Sequence, residues 1–369
     1  MVELPLRCMH HVRKACIAAL SLLAITSLVA CVELSRPPLD FVPVPLPRFS
    51  NGVIKLSVAH VVNERFEKFS DAQIKNFLDA LKVASKSELR REIEFGEVET
   101  FSIEQYFKPI PASKVAWRNA MIYDFKKGSG DRSQLEAAYE HAITKQTAPA
   151  KYWAAFAARE MGLADVDTDP LLWKKRLVDT HLQRLSLLAG IKAADGRPVI
   201  DATPYNEWVF WSALGERNAT HDVVITNQLV ASAEYGDVDI HSALRGGITV
   251  GTTDFATHAQ FGGQFWWSTY AFSSDAPVIV NMRGGERYDP LEAARLAGTL
   301  ATHELGHLLF HYGHPFGVSA CVMSPIPMLR FREAVTSLDA AACEAANAPG
   351  MKIGAADMRR PVYAAEGKR

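Results

Sequence analysis

The residues best suited to chemistry are three imidazoles and a carboxylate: His303-Glu304-Leu305-Gly306-His307, followed by His314. On an α-helix, positions four apart lie about one turn from each other. His303 and His307 would therefore present their rings on one face, where a single tetrahedral zinc ion can take both. Glu304 stands beside that metal, poorly placed to ligate alongside its neighbours but well placed to take a proton from a metal-activated water. The chemistry implied is attack of water on a carbonyl.

A catalytic zinc usually takes three protein ligands and leaves the fourth position to water. His311 continues the four-residue spacing. At a rise of 1.5 Å per residue, however, it lies about 12 Å along the axis from His303, too far for one ion. His314 follows Gly313, a residue able to adopt the left-handed conformation that ends a helix, so the chain can turn His314 back toward the metal. His314 is the expected third ligand. Glu333 is the alternative, because another class of zinc peptidases draws a glutamate from a second, downstream helix. Otherwise Glu333 is a solvated charge beside Arg332.

The motif needs a helix to hold it. Asp289-Pro290-Leu291-Glu292 reads as an N-cap, a proline at the first helical position and a capping-box glutamate. Ala293, Ala294, Leu296, Ala297, Leu300 and Ala301 then form an apolar stripe. Leu305, Leu308, Leu309 and Phe310 make the far end apolar nearly all round, which predicts an interior helix.

The histidine set, followed by Cys321-Val322-Met323-Ser324-Pro325, resembles the metzincin clan of zinc metallopeptidases, particularly its matrixin-like members. Those proteins carry HExxHxxGxxH and then a methionine in a tight turn beneath the zinc. The resemblance implies one catalytic Zn2+ held by His303, His307 and His314, with Glu304 as general base and Met323 as the Met-turn residue. It also implies an α+β, zincin-like catalytic domain: a twisted mixed sheet, one strand of which edges the cleft, and a long zinc-binding helix. The chain departs from the pattern by one residue. Phe310 stands where the family has its helix-ending glycine and Gly313 where it has the third histidine, so the helix break must move with the ligand. The activity implied is that of a zinc-dependent endopeptidase whose peptide or protein substrate lies extended along the edge strand. The alternative is a catalytically silent, zinc-stabilised, lipid-anchored binding or scaffold protein. Asp239, His241 and His258 fall where such domains keep a structural zinc, but their spacing fits poorly, and loop histidines are usually only hydrogen-bonded.

At the other end of the chain, Arg7, Arg13 and Lys14 precede an apolar run that closes with Leu28-Val29-Ala30-Cys31. Residues 1–30 read as an export signal. The small residues before Cys31 resemble the lipobox of bacterial lipoproteins, which implies that Cys31 is acylated. By the same resemblance, Val32 favours the outer membrane, facing the periplasm. An uncleaved inner-membrane anchor is the alternative. Residues 31–49 are rich in proline and read as a stiff tether. Cys8 and Cys16 leave with the signal, so Cys321 and Cys343 remain to pair in an oxidising compartment.

The chain of 369 residues exceeds one typical domain, and its net charge of -1 argues against a nucleic-acid partner. Residues 50–104 and 202–350 are assigned to the catalytic domain, 105–201 to a helical insertion and 351–369 to a C-terminal tail. Strands are expected at 53–62, 92–103, 222–226, 247–250, 267–272 and 277–280. A helix capped by Ser70 should carry Ile74, Phe77, Leu78, Leu81 and Val83 inward. In the insertion, helices are expected at 135–143, 152–161 and 170–190. Trp208, Trp211, Trp266 and Trp267 are read as core rather than as a carbohydrate platform.

Overall fold

The computed structural model describes residues 39–48, 52–109, 123, 132–145, 157–162, 170–201, 203–217, 220–234, 240–255, 260–315, 318–326, 328–344, 351–356 and 358–363. The architecture is α+β. Its centre is a five-stranded sheet of β2 (Ile54–Val62), β3 (Ile93–Ser102), β4 (Val223–Thr226), β5 (Gly251–Phe255) and β6 (Gly263–Ser268) in the order β3-β2-β4-β6-β5. All neighbours run parallel except β5, which is antiparallel to β6 and forms one edge.

Helices cover both faces of the sheet, so the central strands read as unbroken apolar runs. Leu56, Val58, Val223, Ile225, Phe265 and Trp267 face one apolar cluster. Ala59, Val61, Val224 and Trp266 face a second, filled by Ile103, Phe107, Phe210 and Trp211. Three of the four tryptophans are thus core, while Trp208 is half-buried. In β3, the register against β2 slips by one residue between the Leu56–Phe95 and Val58–Val98 pairs. This bulge explains why the apolar positions of β3 change phase after Phe95.

Helix α1 (Asp71–Glu88) begins at a capping box in which Gln73 N–H donates to Ser70 Oγ and Ser70 N–H donates to Gln73 Oε1. Ile74, Phe77, Leu78 and Leu81 point inward as expected, but Val83 is 69 % exposed. The next inward positions on that face are Ala84 and Ser85. The motif helix, α9 (Pro290–Phe310), lies against α1. Its N-cap is Asp289, whose carboxylate accepts from Leu291 N and Glu292 N at 3.0 Å each. Glu292 does not close a capping box. It pairs instead with Arg332 Nε and Nη2 at 2.8 and 2.9 Å. The arginine comes from α10 (Phe331–Thr336) and anchors the start of the helix.

Two expected strands are helices. The strand expected at 267–272 ends at Ser268 and passes into α7 (Tyr270–Ser273), and residues 277–280 lie in α8 (Pro277–Met282). Pro277 occupies the first turn of α8, where its missing N–H costs nothing, and Ile279 packs inward. Burial of these few side chains overrides the β preference of Val278, Ile279 and Val280. The segment 247–250 contributes only an isolated bridge, Ile248 to Ala231, and the strand starts at Gly251.

Helices α3 (Arg132–Lys145) and α4 (Pro170–Ala189) confirm two of the helices expected within 105–201. Residues 157–160 are helical, and 152–156 lie outside the described residues. Short α2 (Ile103–Phe107) opens the segment, and α5 (Trp208–Arg217) and α6 (Ile240–Leu244) follow it in the chain. Leu135, Tyr139, Leu177 and Leu185 join the same apolar cluster as the motif helix, and residues 43–360 form one compact unit. Part of the expected tether is ordered: β1 (Leu39–Pro43) pairs with β7 (Arg359–Tyr363) in a two-stranded sheet. Prolines are tolerated in a strand pair that is all edge. Residues 1–38, with Cys31, lie outside the described residues, among which no helix is long and apolar enough to cross a membrane.

Where α9 crosses α1, a Cβ at Gly298 would stand 2.1 Å from the Phe77 carbonyl oxygen. Backbone meets backbone there, so no side-chain rotation relieves the clash. Gly298→Ala should therefore destabilise the protein by about 2–3 kcal/mol in urea unfolding. A loss under about 0.5 kcal/mol would contradict this close crossing.

Candidate metal centre

The last two turns of α9 place His303 and His307 on one face, each half-buried. The helix ends at His311, which is left-handed (φ 50°) and returns its N–H to the last-turn carbonyls. This bend lies two residues before Gly313, the position expected from sequence, and a buried histidine takes the conformation that glycine adopts most easily. From the bend the chain doubles back and delivers His314. Its Nε2 stands 3.1 Å from that of His303 and 3.1 Å from that of His307, and the latter two are 3.0 Å apart. Three ligands at zinc–nitrogen distances of 2.0–2.1 Å and tetrahedral angles stand about 3.3 Å apart. The three nitrogens therefore fit one zinc ion with a small outward adjustment.

The outer nitrogens explain why the inner ones converge. His303 Nδ1 is 2.9 Å from the Val322 carbonyl oxygen, and His307 Nδ1 is hydrogen-bonded to the Tyr312 carbonyl oxygen. Carbonyls only accept, so both Nδ1 atoms carry the proton and both Nε2 atoms present lone pairs. Burial, reinforced by the neighbouring rings, pushes His303 and His307 down to about 3 and His314 well below the ordinary imidazole value. The rings are thus neutral at physiological pH, the form that binds a metal. Among the described residues these three are the group of histidine, cysteine, aspartate or glutamate side chains able to hold an ion.

Below the histidines, the chain from Cys321 to Ser324 makes a tight turn closed by Ser324 N–H to Cys321 O at 2.9 Å. Met323 is fully buried in this turn, and a Cβ on Gly306 would stand 2.3 Å from its Sδ. The glycine inside the histidine motif thus lets the Met323 thioether pack directly against the helix, and any side chain there would push it aside. Cys321 is disulfide-bonded to Cys343 of α11 (Ala340–Glu344), fastening the turn to a C-terminal helix as expected. Glu333 is exposed on α10 and stands outside the group formed by the three histidines.

The histidines open into a cleft of about 300 Å³ lined by Glu304 and by residues 249–253 leading through β5. Glu304 is 7 % exposed, and its Oε2 accepts from Thr253 Oγ1 at 3.0 Å. Sequence reasoning missed much of the remaining wall. His181 of α4 lines the cleft and binds Tyr139 of α3 through Nδ1, while its Nε2 donates to Ser232 O at 3.0 Å. Arg245 and His241 line it as well. Burial, with Arg245 nearby, holds His241 well below its ordinary value. Asp239 and His258 lie outside the described residues, so the three-residue structural site considered from sequence is not described. No family model, no curated protein and no solved structure matches the chain.

His314→Ala should abolish stoichiometric zinc binding by metal analysis of the purified protein, whereas Glu333→Gln should keep one zinc per chain. The reverse result would exchange the assignments. Acid should also destabilise the metal-free chain. His303 and His307 titrate near 3 when folded and near 6.5 when unfolded, so between those values the unfolded chain binds more protons. Stability should be full above pH 6.5 and fall toward pH 5 in urea titrations of chelator-treated protein. Equal midpoints at pH 7 and pH 5 would contradict this.

Proposed function

We propose that the chain is a zinc-dependent endopeptidase of metzincin type. The observation that carries this reading is the convergence of three imidazole Nε2 atoms within 3.0–3.1 Å of one another, with a buried carboxylate beside them in an open cleft. A purely structural zinc site is closed by four protein ligands. Three ligands opening into a cleft leave a position for water.

His303, His307 and His314 would hold the ion, and zinc bound there supplies a Lewis acid that acidifies water and polarises a scissile carbonyl. Glu304 takes the proton of the attacking water and returns it to the departing amine. Leu300, Leu305 and Leu308 of α9 are buried, and Thr253 of β5 donates to the Glu304 carboxylate, so the base is held between helix and sheet. Strand β5 has β6 on one side and stands at the edge of the sheet on the other. An extended peptide can add to that edge by main-chain hydrogen bonds, which favours cleavage within a chain over trimming of an end.

The spacing of the bend supports the metzincin reading. The left-handed residue is His311 and the third ligand His314, three residues on, the same separation that the family keeps between its glycine and its third histidine. Break and ligand have moved together by one position. The tight turn around Met323, packed against Gly306 of the motif helix, adds support to that reading. We further place the protein in the cell envelope, anchored by an acylated Cys31. The Cys321–Cys343 bridge supports an oxidising compartment such as the periplasm.

Glu304→Gln should retain one zinc per chain and lose hydrolysis of denatured casein or a quenched peptide library by at least about 100-fold. Cleavage near the parent rate would remove Glu304 as base. Parent protein that is loaded with zinc but cuts no peptide, with or without chelator, would favour a silent binding protein.

A further inference from the structure

Glu304 is gripped from the sheet side. Thr253 Oγ1 lies 2.9 Å from the Glu304 main-chain oxygen and 3.0 Å from its Oε2, so one hydroxyl proton is shared between backbone and carboxylate of the same residue. Two positions earlier on the same face of β5, Gly251 leaves the space in which Glu304 sits. A Cβ there would stand 3.1 Å from Glu304 Cγ and 2.4 Å from the Trp267 ring. The contact is built on a rigid frame: Gly251 is opposite Trp267 and Thr253 opposite Phe265 in the antiparallel ladder, and both aromatic rings are in the core. Threonine is itself stiff about its first torsion, so the hydroxyl is held in place by the strand.

We propose that Thr253 is a positioning residue for the general base, holding the Glu304 carboxylate from the strand along which the substrate peptide lies. This rests on Glu304 being the base. A glutamate side chain loses rotamer freedom when it is fixed, and a base that is not held beforehand must lose that freedom at each turnover. Thr253 and the vacancy at Gly251 together select one carboxylate placement beside the three histidines. Because β5 is also the receiving edge for the peptide, the strand that registers the substrate registers the base against it.

Thr253→Val keeps the shape and removes the hydroxyl, whereas Thr253→Ser keeps the hydroxyl. For Val, kcat should fall by about 10-fold to 100-fold on a quenched peptide, with KM within about twofold and one zinc retained. Ser should stay within about threefold of the parent in kcat. A Val variant as fast as the parent, or a Ser variant as slow as Val, would overturn the proposal. Crystals of the metal-free variants give a readout independent of turnover. The Glu304 carboxylate should stay on residue 253 in the Ser variant and leave its place in the Val variant, and an unmoved carboxylate in the Val variant would also overturn it. An inactive parent chain sinks the peptidase reading, while the crystals still decide whether Thr253 holds Glu304.

Discussion

Three neutral imidazole nitrogens brought within 3.0–3.1 Å of one another are the arrangement on which this structure turns. Lone pairs aimed at a common point repel unless a cation lies between them, so the surrounding protein must impose the geometry. It does so by fixing the tautomer: Nδ1–H of His303 and His307 donates to the Val322 and Tyr312 carbonyls, which leaves the Nε2 lone pairs facing inward. The helix must end at His311 for His314 to return, and the turn at Cys321–Ser324 must lie close beneath Gly306. Each of these constraints would be idle in a helix that merely packed.

The larger fold serves that convergence. The motif helix is buried along most of its length, capped by Asp289, held by Arg332 and crossed by α1 at a point where only glycine fits. The sheet supplies a floor of core aromatics and one antiparallel edge strand that reaches the carboxylate. The disulfide ties the methionine turn to α11 across a separation of 22 residues. A loop of that size, once closed, restrains the unfolded chain by about 3 kcal/mol in the chain-entropy account. The helices of 105–201 contribute too, since His181 forms part of the cleft wall and Tyr139 steadies it.

The parts of the site legible in the sequence were those set by covalent geometry and local capping. Two histidines four apart on a capped apolar helix must share a face, and the buried run Leu305, Leu308, Leu309 and Phe310 follows from the same periodicity. That His314 joins His303 and His307 was legible, but the bend that delivers it lies at His311 and not at Gly313, because nothing in the local sequence marks His311 as the left-handed residue. The short apolar segments at 267–272 and 277–280 read as strands but are helical from Tyr270 and from Pro277, since a few β-branched and aromatic residues do not distinguish a strand from a helical turn until tertiary contacts choose. Thr253, Arg245 and His181 carry no motif, and only folding brings them to the cleft.

The central claim is that one zinc ion is held by His303, His307 and His314, and anomalous scattering at the zinc edge from zinc-loaded crystals tests it most directly. The account predicts a single strong peak in the cleft about 2.0–2.1 Å from all three Nε2 atoms, with Glu304 outside the coordination sphere. A peak elsewhere, or one that leaves His314 unligated, would contradict it.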